Sequence, residues 1–180
     1  MDSLSTDRLT LRPWEPEDRD FVFDLYSRWE VQRFIGVVPR VMEDPADADL
    51  RIARWRELDD PPLGVYAVGL GVDGPLIGTI LLKSIPASGP QPLPSGDIEI
   101  GWHFHPDAWG RGYATEAAAA VLARAIAAGL PRVVAVTHPL NSASQAVCRR
   151  IGMVHAGLTT AYYNTTCELF VATGRAHPPK

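Results

Sequence analysis

The chain has 180 residues, 46% hydrophobic and 21% charged, with a formal net charge of −4. That balance suits a single globular domain over residues 1–180, breaks every apolar run too early for a membrane span, and argues against nucleic acid as the main partner while leaving room for a cationic one. Two cysteines, Cys148 and Cys167, make no disulfide framework, no Cys/His spacing suggests zinc or another metal, and no basic stretch precedes an apolar block at Met1, so a cytoplasmic home is expected.

In chain order, residues 6–13 alternate polar and apolar and stop at Pro13, which predicts a first strand. Glu15, Pro16 and Asp18 then mark a helix start, with Phe21, Leu25 and Trp29 along one side. Residues 31–41 read as an irregular connection containing Phe34, and residues 45–58 as a second helix with a loose stripe of Leu50, Ala53, Trp55 and Leu58. Residues 63–70 and 76–85 flank the turn Gly71-Val72-Asp73-Gly74-Pro75, which predicts an antiparallel hairpin. Four prolines and two glycines in residues 86–96 predict an exposed loop.

A fourth strand follows, in which Ile98, Ile100, Trp102 and Phe104 point one way and Glu99, Gly101, His103 and His105 the other. The alanine-rich run over residues 112–128 is a helix stopped by Gly129 and Pro131, and residues 132–137 are a continuous apolar run. Strand, helix, apolar strand is a parallel crossover, so the fifth strand is expected near the centre of the sheet. A last helix starts at Asn141 or Ser142 and ends at Gly152; a final hairpin turns at Asn164-Thr165, and a polar tail runs over residues 174–180.

Between the fourth strand and the alanine-rich helix stands Trp109-Gly110-Arg111-Gly112-Tyr113-Ala114-Thr115. Glycine permits φ > 0 and close approach of a ligand to the backbone. A helix starting near Gly112 leaves several N–H donors aimed at the loop, and with the helix dipole they form an anion site suited to a diphosphate. The phosphate loop of nucleoside triphosphatases needs a Gly-Lys-Ser/Thr that is absent, and the dinucleotide fingerprint needs a small third residue where Thr115 stands. A plain glycine turn capping a helix is the structural alternative.

The whole string from Gly96 to Ala117 closely resembles the coenzyme A loop of the GNAT acetyltransferase superfamily, in its RimJ/RimL-like branch. That loop usually begins with Gln or Arg; here it begins with Trp109, a start common in the branch. A second likeness is Asn141-x-x-Ser144-x-x-Val147 leading into Ile151-Gly152-Met153, with Met153 where Phe is usual. The resemblance covers nearly the whole chain. It implies an α/β (α+β mixed-sheet) fold of about seven mostly antiparallel strands flanked by helices, with the parallel fourth and fifth strands splayed apart.

What the resemblance implies about chemistry is an N-acetyltransferase that moves an acetyl group from acetyl-CoA, with no metal, to a primary amine on a protein N-terminus or a small molecule. A non-catalytic acyl-CoA-binding sensor on the same fold is the alternative. The loop from Trp109 to Thr115 would take the diphosphate, Thr115 adding a hydroxyl and Arg111 a charge. Backbone at Trp102, His103 and Phe104 would pair with the pantetheine arm, together with Asn141 and Ser144. Many members protonate the leaving thiolate with a Tyr seven residues after the Asn; Cys148 stands there, so Ser144 is the expected donor. Asn141 and Ser144 also suit a purely capping role. For the base, Glu99 comes first and His103 second, with Glu168 and Tyr66 as more distant candidates for lining the cleft. Residues 31–42 and 86–96 would wall the acceptor pocket. His105, His138, His155 and His177 read as structural or solvated, Glu116 as a charge favouring the helix start, and Cys148 as a small core residue. Dimers are frequent in the family, so a homodimer is open.

Overall fold

A computed structural model describes residues 3–58, 60–91 and 93–174. Most of the tail expected over residues 174–180 lies outside them. The first strand starts later than its alternation suggests. Thr6 and Leu9 close a tight turn through Thr6 N to Leu9 O (2.9 Å) and Leu9 N to Thr6 Oγ1 (3.1 Å). This folds β1 (Leu4–Ser5) back against β2 (Leu9–Pro13). That extra two-residue strand makes the sheet eight-stranded.

The remaining elements are α1 (Arg19–Ser27), the single turn α2 (Trp29–Gln32), α3 (Ala46–Glu57), β3 (Gly64–Leu70), β4 (Leu76–Pro86), β5 (Pro94–Phe104), α4 (Tyr113–Ala127), β6 (Arg132–Thr137), α5 (Ser142–Arg150), β7 (Val154–Thr159) and β8 (Cys167–Thr173). The sheet order is β1-β2-β3-β4-β5-β6-β8-β7. All neighbours are antiparallel except β5 and β6. This is the mixed α/β sheet expected of the acetyltransferase-like sequence.

Each face of the sheet has its own apolar layer. On one, Ile100 and Phe104 of β5 and Val133 and Ala135 of β6 pack under Ala117, Ala118, Val121 and Ala125 of α4 and Val147 and Cys148 of α5. Alanine at these positions lets α4 lie close to the strands. On the other, Val65 and Ala67 of β3 meet Val22, Leu25 and Tyr26 of α1 and Ala48 and Ile52 of α3, around Trp14. Leu25 is buried on α1 as its pattern suggests, but Tyr26 is inside as well, and Trp29, which begins α2, is 55% exposed. On α3, Ala48 and Ile52 are buried and Leu50 is 57% exposed.

The proline-rich segment over residues 86–96 is not a free loop. Its end belongs to β5, which begins at Pro94. Its middle is pinned to the turn before β8. Ser88 N donates to Ala161 O (2.8 Å), Gly89 N donates to Asn164 Oδ1 (2.8 Å), and Asn164 Nδ2 donates back to Gly89 O (3.1 Å). Two segments too irregular for a ladder satisfy each other's polar groups.

Candidate active site

Beyond Glu99 and Val134 the sheet forks. β5 and β6 pair in parallel only at Ile98 with Val133 and Glu99 with Val134. Past that point β5 stays with β4 as far as Phe104, and β6 stays with β8 as far as Thr137. The two facing edges carry main-chain N–H and C=O groups with no strand opposite, and such groups need a partner. The fork opens toward the C-terminal ends of both strands, where α4 and α5 begin.

At the mouth, the chain leaving β5 makes a 3-10 turn at Pro106–Ala108, and Trp109 Nε1 donates to Phe104 O (2.8 Å). The indole thus caps the strand end, a role that explains a Trp at the first loop position. Gly110 and Gly112 adopt φ of +73° and +80°. Nothing lies within 4 Å of a Cβ built at Gly110, so backbone conformation, not space, requires glycine there. The first helical bond of α4 runs from Glu116 N to Gly112 O (3.0 Å). The amides of Tyr113, Ala114 and Thr115 therefore precede the ladder and point out of the helix start. Arg111 is exposed and, with Tyr113, borders a cleft of about 400 Å³ whose other wall includes Phe21, Asp24 and His105.

Glu116 does more than favour the helix start. Its carboxylate accepts from Thr6 Oγ1 (2.6 Å), Arg8 N (3.0 Å) and Arg8 Nε (2.7 Å), while Arg8 Nη1 donates to Arg111 O (3.0 Å). The guanidinium lies 4.7 Å from the Tyr113 ring centroid. The turn before β2 thereby clasps the glycine loop. Burial pushes the Glu116 carboxyl up, but the bonds from Thr6 and Arg8 outweigh it and hold it below its ordinary value.

On the far side of the mouth, Asn141 Oδ1 accepts from Ser144 N (3.1 Å), so Asn141 caps α5. Ser144 sits in the first turn, partly buried. Cys148 is fully buried and its thiol is pushed up to about 12 by burial, which agrees with a core role.

The opposite face of β5 carries Glu99 and His103. Glu99 is 8% exposed; its Oε2 accepts from the Tyr163 hydroxyl, and Lys83 stands opposite it on β4. Burial raises the carboxyl above its ordinary value, opposed by Tyr163 and Lys83. His103 Nδ1 shares a hydrogen bond with the Tyr26 hydroxyl (2.8 Å). Burial, with Arg51 and Lys83 nearby, lowers its pKa to about 4, so the ring is neutral at pH 7. Arg51 lies 4.1 Å from the Tyr26 ring centroid. Phe34, from the connection after α2, packs its ring 5.1 Å from that of His138 just past β6.

The two more distant candidates lie on the α4 side of the sheet. Tyr66 belongs to the α4-side core, two strands from β5, with its hydroxyl toward Pro62 O (3.4 Å). Glu168 holds His155 Nε2 (2.6 Å) on the same face as Phe170, the face that α4 and α5 cover. His105 ties Asp24 of α1 (3.1 Å) to the strand end and caps the 3-10 turn. Tyr163, Lys83 and Tyr26 were missing from the sequence reading. Only the antiparallel register of β4 and β5 could have hinted at one of them, Lys83.

A forked parallel pair with a glycine loop and a helix start at its mouth is the arrangement that the resemblance to acetyltransferases implied. The chain matches the acetyltransferase (GNAT) domain over residues 8–154 and belongs to that family. It is similar to the FsC-acetyl coenzyme A-N(2)-transacetylase of Aspergillus fumigatus, 29% identical over 168 residues, 91% of this chain and 69% of that one. Among solved structures it is similar to an acetyltransferase from Agrobacterium tumefaciens, 28% identical, TM-score 0.73, covering 96% of this chain and 94% of the other. The Mycobacterium smegmatis RimJ in complex with CoA-disulfide shares the fold at 19% identity and a TM-score of 0.72, over 95% of this chain and 84% of that one. Among the described residues no helix is long and apolar enough to cross a membrane.

Proposed function

We propose that this acyltransferase moves the acetyl group of acetyl-CoA directly to a primary amine, both substrates being held together in the fork. The observation that carries the reading is the loss of β5–β6 pairing after Glu99 and Val134, with the glycine loop at the open end. The loop from Trp109 to Thr115 holds the diphosphate through its main-chain N–H groups. The free edge of β5 at Trp102, His103 and Phe104 pairs with the amides of the pantetheine arm, with Asn141 and Ser144 across from it. The acceptor comes from the opposite face, past Phe34 and His138. It is a protein N-terminal α-amine, as in the RimJ/RimL branch, or a small-molecule amine.

Glu99 takes the ammonium proton, directly or through a water; burial makes it a stronger base than an ordinary carboxylate. The amine nitrogen then bonds to the thioester carbon. A main-chain N–H of β5 donates to the carbonyl oxygen as charge gathers there. The carbon–sulfur bond breaks as the nitrogen sheds its second proton, which Ser144, directly or through water, relays to the leaving sulfur. His103, with its Nδ1 engaged and its basicity low, serves better to shape the acceptor side than to take a proton.

Calorimetric titration with acetyl-CoA, followed by CoA-thiol release with a panel of amines and peptides, tests this. Absence of binding ends the reading. Binding without turnover on any acceptor supports a non-catalytic acyl-CoA module instead, an alternative favoured by the buried Cys148 at the position where many relatives carry a tyrosine.

A further inference from the structure

β6 ends at Thr137, after a run in which Val133, Val134 and Val136 supply apolar packing. Thr137 breaks that run with a hydroxyl. It is 7% exposed, and among the described residues its Oγ1 has no hydrogen-bond partner. A buried hydroxyl without a partner destabilises a fold, so the choice of threonine over valine here needs a reason. Strand alternation places Thr137 with Val133 and Ala135 on the face that α4 and α5 cover. It lies three residues past the last pair with β5, so one flank of β6 at this point is the open fork.

Its cross-strand partner is already committed. Glu168, its direct partner across β8, is held by His155 Nε2 (2.6 Å). Asn141 Oδ1 accepts from Ser144 N (3.1 Å). Among the described residues the Thr137 hydroxyl has no hydrogen-bond partner, and the fork beside it is where the acyl carrier's arm is proposed to run.

We infer that Thr137 is a binding residue for that arm, its hydroxyl hydrogen-bonding one of the two secondary amides of pantetheine. The inference rests on the acetyl-CoA reading given above. A hydroxyl both donates and accepts, so it serves either the N–H or the C=O of the amide. Because the bond is present throughout turnover, it strengthens cofactor binding without changing the chemical step.

The test is calorimetric titration of wild type, Thr137→Val and Thr137→Ser with CoA and, separately, with its nucleotide half, phosphoadenosine diphosphate. Thr137→Val keeps the volume and removes the hydroxyl. Its expected CoA dissociation constant is about tenfold higher, its nucleotide affinity is unchanged, and its kcat is near wild type with a raised acetyl-CoA KM. Thr137→Ser restores CoA binding. In the absence of ligand Thr137→Val melts at or above the wild-type temperature, because an unsatisfied buried hydroxyl has gone. Thr137→Ala repeats the loss of CoA affinity at the expense of a small cavity. Equal CoA binding by wild type and Thr137→Val overturns this inference alone; failure of wild type to bind CoA overturns the acetyl-CoA reading and the inference with it.

Discussion

The hydroxyl of Tyr163 donates to Oε2 of Glu99 across 64 residues of chain. Tyr163 and Asn164 both take left-handed backbone conformations, with φ of 56° and 53°. That conformation is uncommon for residues with side chains, and it is held by the bonds from Asn164 to Ser88 and Gly89. The strained turn presents a phenol to a buried carboxylate, with Lys83 Nζ 3.4 Å from the same phenol oxygen. Tyr163 and Lys83 both favour ionised Glu99, against the effect of burial. Replacing Tyr163 by Phe therefore raises the Glu99 pKa further. The acid limb of the kcat/KM–pH profile is expected to move to higher pH in Tyr163→Phe, while Glu99→Gln lowers kcat on the order of a hundredfold or more. An acid limb that stays in place would show that the phenol does not tune this carboxylate.

The clasp between Arg8 and Glu116 makes a second prediction. Glu116→Gln weakens charge-assisted bonds to Thr6 and Arg8 that anchor the glycine loop. The expected loss is about 1 kcal/mol, or about 2–4 °C in melting temperature, after discounting for the half-exposed Arg8. The Glu116 carboxyl is held below its ordinary value in the fold, so its contribution is present above pH 4.5 and fades as pH falls through the folded pKa. Wild type and Glu116→Gln are thus expected to differ at pH 7 and to converge in acid, read by thermal melts at both.

Much of this fold was legible because its elements alternate in a strict order. The polar-apolar rhythm of residues 98–104, the alanines of α4 and the continuous apolar run of β6 each report their own surroundings. Together they imply a parallel crossover, and the glycines at 110 and 112 mark the loop that joins it. Periodicity tells which face of an element is apolar. It does not tell which polar side chain on another element reaches that face. That is why Glu99 could be singled out but its partner Tyr163 could not, and why Tyr26 turned inward to His103 while the larger Trp29 stayed outside. The same limit applied to residues 86–96: proline and glycine rule out a regular element, but only the other loop's amides reveal that the segment is anchored.

His103 sets an acid limit on stability. Its pKa falls from 6.5 to about 4 in the fold, so the folded state resists protonation that the unfolded state accepts. The stabilisation is complete above about pH 6.5 and is lost as pH falls toward 4, amounting to at most about 3 kcal/mol. Glu99 acts with the opposite sign: its raised pKa favours the fold in acid and withdraws support as pH rises. His103→Gln is therefore expected to flatten the decline in urea-derived stability between pH 6.5 and pH 4, with wild type retaining the steeper slope. Equal slopes would show that the ring ionises freely in the folded protein.

Gly112 separates backbone strain from charge at the proposed diphosphate site. A Cβ there would meet only Arg8 Nη2, at 3.5 Å, which is ordinary contact. The φ of +80° is the obstacle, and Gly112→Ala is expected to cost about 1–2 kcal/mol of stability. Gly112→Glu carries the same strain and adds a negative charge where the loop amides and the helix dipole favour an anion. Its acetyl-CoA KM is expected to rise at least about tenfold beyond that of Gly112→Ala, as the carboxylate repels or displaces the diphosphate. Because the added penalty is electrostatic and solvent-facing, it shrinks as ionic strength is raised, whereas the strain does not. Steady-state kinetics of both variants at low and high salt distinguish the two terms. A Gly112→Glu enzyme indistinguishable from Gly112→Ala at low salt would mean that these amides hold no phosphate.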